Sequence, residues 1–228
     1  MSSPTRWIAP RLMAAYTSPR TRAARRAIAE WRRRSMRRPH QVHYFHQVDD
    51  PYAQLAAQLL ERLVTHYDVQ LVAHLVGPPS DAAAPERARL EAFARKDAAD
   101  IAPGYRLVFP RRETAPDAAD VQLATRVLAA AIAGGRFASA AAAVGGALFD
   151  GDRASLTRLA DLVGAVGDEE ARAAVAAGSA ERQRRGHYLA AMFWYGGEWY
   201  WGVDRLHHLE RRLSALGARR TDTGSALL

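Results

Sequence analysis

Apolar and polar positions alternate in two different rhythms along this chain, and each rhythm predicts a type of element. Residues 42–46 and 69–75 are short apolar runs rich in β-branched and aromatic side chains, which are typical of strands. Between them, residues 51–66 carry leucines at helical spacing, as on the buried face of a helix. Residues 42–76 are therefore predicted to form a βαβ unit with parallel strands.

The middle of the chain has helical periodicity and no strand pattern. Residues 85–100 predict one helix. Residues 118–185 are rich in alanine, leucine and arginine, with three breaks at segments that contain glycine, and they predict four helices. We assign residues 77–185 to an all-helical insertion.

The end of the chain returns to a strand pattern. Residues 191–195 and 198–201 are apolar runs on either side of Gly196-Gly197, which predicts a β-hairpin with a two-residue turn. Leucines at helical spacing in residues 206–216 then predict an amphipathic helix. The predicted order is therefore βαβ, an all-helical segment, then ββα.

The residues before the first strand form a basic N-terminal extension, residues 1–40. Residues 20–36 predict a helix with one narrow apolar stripe surrounded by arginines. The stripe consists of Ala24, Ala27, Ile28 and Trp31. We favour docking of this stripe on the body of the protein over two other interpretations, which are binding to an anionic membrane surface or nucleic acid, and organelle targeting.

The net charge of the chain is concentrated in that extension. The 228 residues carry a formal net charge of +8, but residues 1–38 alone carry +10 and the remaining residues −2. We therefore expect no nucleic-acid partner for the body, and we rank membrane-surface contact through residues 20–38 below docking. The bias toward arginine and alanine is typical of a bacterial sequence.

The composition excludes several kinds of site and segment. The chain has no cysteine, which excludes disulfides, zinc-thiolate sites and thiol redox chemistry. No apolar run approaches the roughly 20 residues of a membrane span, and we expect a cytoplasmic protein. His43 and His46 lie three apart on a strand and point to opposite faces, so no metal site is predicted.

The residues Gly-Glu-Trp-Tyr-Trp-Gly-Val-Asp-Arg-Leu at 197–206 carry a specific resemblance. With the predicted element order, they resemble the C-terminal block of the DsbA-like superfamily, which includes disulfide oxidoreductases, 2-hydroxychromene-2-carboxylate isomerases and kappa-class glutathione transferases. The resemblance implies an α/β, thioredoxin-like fold with an all-helical insertion and a basic N-terminal helical extension. Residues 41–76 and 186–217 would form the thioredoxin-like domain, and residues 218–228 a flexible tail.

The resemblance also implies a site. The family's reactive position carries Cys in the redox branch and usually Ser in the isomerase and transferase branch, and here it matches Asp50. Without cysteine, the chain is nearest that second branch. The family's cis-proline matches Ala191, which we expect to be trans because a non-proline cis bond costs roughly 3–4 kcal/mol. Contacts to a small substrate or to glutathione, the one cofactor considered, would come from Ala191, Met192, Val203 and Asp204. Homodimers of the relatives make a homodimer a further expectation.

The chemistry of Asp50 leaves three interpretations open. An ionised carboxylate only accepts hydrogen bonds and raises the pKa of a nearby thiol, so it does not replace Ser in activating glutathione. Asp50 is then an N-cap alone, or a general acid or base with Asp49 raising its pKa, or a bystander while Tyr52 supplies the hydroxyl. Asp204 is equally a helix cap or a ligand contact.

These residues lead to two hypotheses about function. The first is an enzyme similar to the isomerases or glutathione transferases, acting on a small aromatic or glutathione-linked substrate without thiol–disulfide chemistry. The alternative is a catalytically inert protein of the same fold that acts as a binding or interaction module.

Overall fold

A computed structural model describes residues 18–112 and 114–220 of the protein. The strands are β1 (His40–His46), β2 (Val69–Leu75), β3 (Met192–Tyr195) and β4 (Glu198–Trp201). The helices are α1 (Pro19–Ser35), α2 (Pro51–Ala57), α3 (Leu60–His66), α4 (Arg87–Ile101), α5 (Ala118–Ala133), α6 (Phe137–Asp150), α7 (Arg153–Val163), α8 (Asp168–Arg184) and α9 (Gly202–Ala215). A 3₁₀ turn, Ala102–Tyr105, follows α4. Residues 1–17 of the predicted extension lie outside the described residues.

The four strands form one mixed sheet in the order β2-β1-β3-β4. β1 and β2 pair in parallel from His40 opposite Val69, as the βαβ pattern predicts, while β3 is antiparallel to β1 and to β4. The β3–β4 turn is Gly196-Gly197, with φ of 53° and 87°, which glycine adopts without the strain of a side chain. The predicted hairpin is therefore confirmed.

The predicted helix over residues 51–66 is instead two helices, α2 and α3. The helical pattern of backbone hydrogen bonds is interrupted at Gln58-Leu59. There the N–H of Leu59 donates to the carbonyl of Ala56, three residues back, which tightens the last turn of α2. The Gln58 side chain leaves the helix to exchange two hydrogen bonds, of 2.8 and 3.0 Å, with the backbone of Val108. The periodicity of leucines did not reveal this break, because Leu55, Leu59 and Leu63 keep helical spacing across it and are all buried.

The two faces of the sheet have different environments. One face carries Val42, Tyr44 and Phe193 and belongs to the main core, which includes leucines of α2, α3 and α9. The other face carries Phe45 and Met192, which belong to a smaller cluster. The predicted insertion between β2 and β3 is helical throughout its described secondary structure, and it packs mainly through α5, α6 and α8.

The way α1 contacts the body differs from the favoured prediction. Its predicted apolar stripe is exposed, with Ile28 51% and Trp31 67% accessible to solvent. The side turned toward the body is polar, and there Arg26 donates two hydrogen bonds of 2.8 and 2.6 Å to the carboxylate of Glu198 on β4. The docking prediction is therefore wrong about the face, because an ion pair and not apolar packing holds the helix.

The first residues of the predicted tail take part in the fold. The carbonyl of Ala218 accepts a 2.7 Å hydrogen bond from the N–H of Asp68, and the N–H of Arg220 donates to the carbonyl of His66. Residues 218–220 therefore pair with the segment between α3 and β2, whereas residues 221–228 lie outside the described range. Among the described residues, no helix has both the length and the apolar character to cross a membrane.

Candidate functional site

Asp50 follows β1 and forms the N-cap of α2. Its side chain accepts a 3.2 Å hydrogen bond from the Tyr52 N–H, which is the role that Asp before Pro predicts. Desolvation by the surrounding protein, with a smaller effect of Asp49, raises the pKa of Asp50 to about 7, although N–H groups of Tyr52 and Ala53 oppose the rise. The cap is therefore a carboxyl that changes charge near neutral pH.

Tyr52, the predicted alternative hydroxyl donor, already has a partner. Its hydroxyl donates a 2.8 Å hydrogen bond to the carboxylate of Asp97 on α4. Burial and this hydrogen bond raise the pKa of Tyr52 well above its usual value. A thiolate at this position would have to compete with a carboxylate for the same proton.

Asp204 does not cap α9, so that part of its prediction is wrong. The helix begins at Gly202, which places Asp204 in the first turn, where it is exposed. Asp204 accepts a 2.7 Å hydrogen bond from the hydroxyl of Tyr105 and raises the pKa of Tyr105 to about 12. The site thus contains two tyrosine–aspartate pairs, one beside Asp50 and one at the start of α9.

Ala191, Met192 and Val203, predicted to contact a ligand, are all buried. Ala191 has a φ of +54°, and its carbonyl accepts a 2.7 Å hydrogen bond from the N–H of Gly202. The described part of the chain contains no cis peptide bond, so Ala191 is trans as expected. The backbone at Ala191 is therefore hydrogen-bonded to the first residue of α9. The ligand contacts assigned to these residues stay predictions.

The electrostatic character of this region is negative. Besides desolvation, the charges of Asp49 and Glu91 raise the pKa of Asp50. Those of Asp97, Asp50 and Asp204 raise the pKa of Tyr52. A negative environment disfavours a thiolate, so the arrangement does not support the activation of glutathione. The tyrosine–aspartate pairs join residues 45 and 99 positions apart, and no local sequence signal could have predicted them.

Comparison with known proteins supports the fold that this geometry describes. No protein-family model and no curated protein matches the sequence. Among solved structures, the probable DsbA oxidoreductase of Streptomyces coelicolor is similar, with a TM-score of 0.55 and 16% identity over 82% of this chain and 94% of that chain. A 2-hydroxychromene-2-carboxylate isomerase is similar with a TM-score of 0.54 and 19% identity, over 81% of this chain and all of the isomerase.

This is the DsbA-like thioredoxin fold. The prediction made from the βαβ and ββα order and from residues 197–206 is therefore confirmed at the level of the fold. The cysteine that the redox branch carries at the reactive position is absent, since the chain has none.

On the second face of the DsbA-like sheet, the structure contains a cluster that the sequence analysis missed. Arg185 donates to His43 Nε2 at 3.1 Å and stacks 3.7 Å from the centre of the Trp194 ring. Because His43 Nε2 accepts, its Nδ1–H is the donor in the 2.9 Å hydrogen bond to His74. Burial, reinforced by the charge of Arg185, lowers the pKa of His43 to about 4, and burial also lowers the pKa of His74, so both rings favour the neutral form.

The DsbA-like fold also carries an open groove between α1, the β3–β4 hairpin and α9, which we call the arginine groove. Its volume is about 1210 Å³. Its basic side chains are Arg22, Arg25, Arg26, Arg34, Arg205, His208, Arg211 and Arg212. Its acidic side chains, Glu30 and Glu198, both accept hydrogen bonds from arginines, and Trp31 and Trp201 add aromatic surface. The sequence analysis missed this groove because the arginines of α9 show the spacing of an ordinary polar helix face.

Proposed function

We propose that this chain is a non-catalytic protein of the DsbA-like fold that binds an anionic partner in the arginine groove. The observation that carries the proposal is the contrast between two regions. The positions that match the family's ligand contacts are enclosed or hydrogen-bonded within the protein, whereas the arginine groove is open.

The region around Asp50 has the features of a structural assembly. The Asp50 carboxyl caps α2, the Tyr52 hydroxyl is bonded to Asp97, and Ala191 is buried at the turn into β3. The side chains of Asp50, Tyr52 and Asp204 therefore each have a partner within the protein. Glutathione binding, a small-molecule substrate and a homodimer stay predictions.

The arginine groove has the chemistry that anions require. Arginine binds carboxylates and phosphates through two parallel N–H donors, and it is always charged at physiological pH. Seven arginines and two carboxylates line the groove, so the local potential is positive although the body as a whole carries little charge. Arg205 and Arg211 on α9 lie opposite the arginines of α1.

The test is binding of a short inorganic polyphosphate to the full chain. Tryptophan fluorescence monitors the binding at several salt concentrations. We expect binding that weakens with salt and that falls in the double variant Arg205→Gln/Arg211→Gln. The matched control, Arg158→Gln/Arg172→Gln, removes the same charge from exposed positions outside the groove and should bind like the parent. Equal binding by both variants would overturn the proposal.

A second candidate function, an acid–base isomerase, is favoured by the Asp50 carboxyl. A group whose pKa lies near 7 both donates and accepts protons at neutral pH, as a general acid or base must. Turnover of 2-hydroxychromene-2-carboxylate tests it, with Asp50→Asn as the variant because asparagine keeps the helix cap. Turnover by the parent that disappears in Asp50→Asn would establish catalysis and exclude the non-catalytic proposal.

Glutathione is tested separately by thermal unfolding. We expect no rise in the unfolding temperature with glutathione, because the carboxylates around Asp50 repel an anionic peptide. A rise that Asp204→Asn abolishes would place glutathione at this site and contradict that expectation.

A further inference from the structure

The outer face of α1 is apolar although it is turned to solvent. By helical spacing, Ala24, Ala27, Ile28 and Trp31 centre on the side away from Arg26, and all four are exposed, while Ala27 and Trp31 also border the arginine groove. We call these four residues the outward stripe. An exposed isoleucine and tryptophan one turn apart at the centre of a basic helix are unusual for a surface that meets only water.

Arginines flank the outward stripe. Arg20, Arg32 and Arg34 are exposed beside it, and residues 18–38 together carry a net charge of +8. The salt bridge from Arg26 to β4 holds the helix by its inner face, so the stripe and its flanking charges are presented together. Trp201, which is 50% exposed, lines the arginine groove with Trp31 and adds a second aromatic side chain.

We propose that α1 lies on the surface of an anionic lipid bilayer, with the outward stripe inserted at the headgroup boundary. The proposal rests on the proposed function, since it names the source of the anions near the arginine groove. A helix with tryptophan and aliphatic side chains on one face and arginines beside them binds in the plane of such a surface. The arginines contact lipid phosphates while Ile28 and Trp31 replace water contacts by acyl-chain contacts.

The exposed aliphatic surface favours a bilayer over a nucleic acid. A single-stranded nucleic acid uses arginines and stacked aromatic rings, and it gains nothing from Ile28 or from Met36, which is 58% exposed just after α1. A bilayer uses all of these side chains. No described helix is fitted to span a membrane, so the contact would be confined to the surface.

The experiment is sedimentation of the full chain with vesicles of phosphatidylcholine, with and without phosphatidylglycerol. We expect binding that depends on phosphatidylglycerol, and quenching of tryptophan fluorescence by brominated lipid. The variant Ile28→Ser/Trp31→Ser keeps every charge and should lose about tenfold or more in partition coefficient. Its matched control is Leu90→Ser/Phe93→Ser, the same kind of change at exposed positions on α4, which should bind like the parent.

The contribution of charge is tested with a second pair of variants. Arg20→Gln/Arg32→Gln/Arg34→Gln should weaken binding by about fivefold for each arginine. The control triple variant removes three exposed arginines far from α1 and should have a smaller effect. It changes Arg89, Arg158 and Arg172 to Gln. Circular dichroism establishes that each variant is folded before binding is compared.

Four results would overturn the bilayer proposal. The first is binding of polyphosphate without binding of phosphatidylglycerol vesicles, which leaves the proposed function intact. The second is vesicle binding by Ile28→Ser/Trp31→Ser equal to that of the parent, which would mean attraction by charge alone. The third is tight binding of a single-stranded oligonucleotide with no vesicle binding. Failure to bind either polyphosphate or vesicles would overturn both proposals.

Discussion

At the scale of single residues, Asp50 combines two opposing properties of a helix cap. Its carboxylate satisfies an N–H group at the start of α2, but desolvation raises its pKa to about 7. A carboxyl whose pKa is higher in the folded than in the unfolded state stabilises the fold at pH below about 4, and that contribution is lost as pH rises through 7. Charged Asp50 is therefore a cost at alkaline pH.

The variant Asp50→Asn should remove this dependence on pH. Asparagine caps helices as well as aspartate does and carries no charge. Relative to the parent, we expect little change in unfolding free energy near pH 4 and a gain of about 1–2 kcal/mol near pH 8, discounted for partial exposure. Urea denaturation at both pH values measures the difference. A gain that is the same at both would show that the carboxyl does not titrate in this range.

Ala191 makes a second prediction at this scale. Its φ of +54° is far from the value of about −65° that proline requires, so Ala191→Pro, the residue that the family resemblance implies here, should destabilise the protein by about 3 kcal/mol or more. Glycine accepts a positive φ, and Ala191→Gly should stay within about 1 kcal/mol of the parent. Urea midpoints of the two variants check this, and a proline variant as stable as the glycine one would contradict the backbone described for this turn.

At the scale of elements, α8 packs closely against β2 because Gly178 has no side chain at the contact. A Cβ at Gly178 would lie 2.0 Å from the backbone oxygen of Leu75, and a backbone atom has no freedom to move aside. The sequence shows this glycine only as a weak point in a helical segment, because the partner strand is about 100 positions away. The close approach of α8 to β2 is what packs the helical insertion against the sheet.

Two glycine-to-alanine variants separate packing from helix propensity. Gly178→Ala should destabilise the protein by about 2–3 kcal/mol, because α8 must shift. Gly146→Ala is the matched control inside α6, where the added Cβ meets its nearest atom outside the helix, Gln54 Nε2, at 3.8 Å. Alanine is favoured over glycine in a helix by up to about 1 kcal/mol, so this variant should be as stable as the parent or more stable. Thermal unfolding compares both, and equal stabilities would argue against the close approach.

At the scale of the whole molecule, local patterns predicted the fold and long-range contacts decided the site. The strands, the Gly196-Gly197 turn and the cap at Asp50 are set by neighbouring residues, and the sequence predicted all of them. The face on which α1 docks was not predictable, because it depends on Glu198, which lies 172 residues after Arg26. The same reason hid the partner of Tyr52 and the arginines that meet across the groove.

Deletion of residues 1–38 tests the role of α1 in the whole protein. β4 is the last strand in the sheet order, and α1 lies beside it, joined through Glu198. We expect the shortened protein to aggregate faster on warming, as light scattering reports, because the deletion removes the helix that is tied to this end strand and leaves the strand easier to approach. A full-length chain with Arg89, Arg158 and Arg172 changed to Gln has a lower charge but keeps α1, and its scattering should match that of the parent. Unchanged scattering after the deletion would mean that α1 does not protect the edge.

The position of α1 beside β4 ties two events to each other. The inner side of the helix is joined to the end strand by one ion pair, and its other side carries the outward stripe. A partner that pulled α1 away by breaking the salt bridge from Arg26 to Glu198 would give a further strand freer access to the edge of β4. The helix would then act as a removable cover, and self-association of the chain would be greatest where its partner is most abundant.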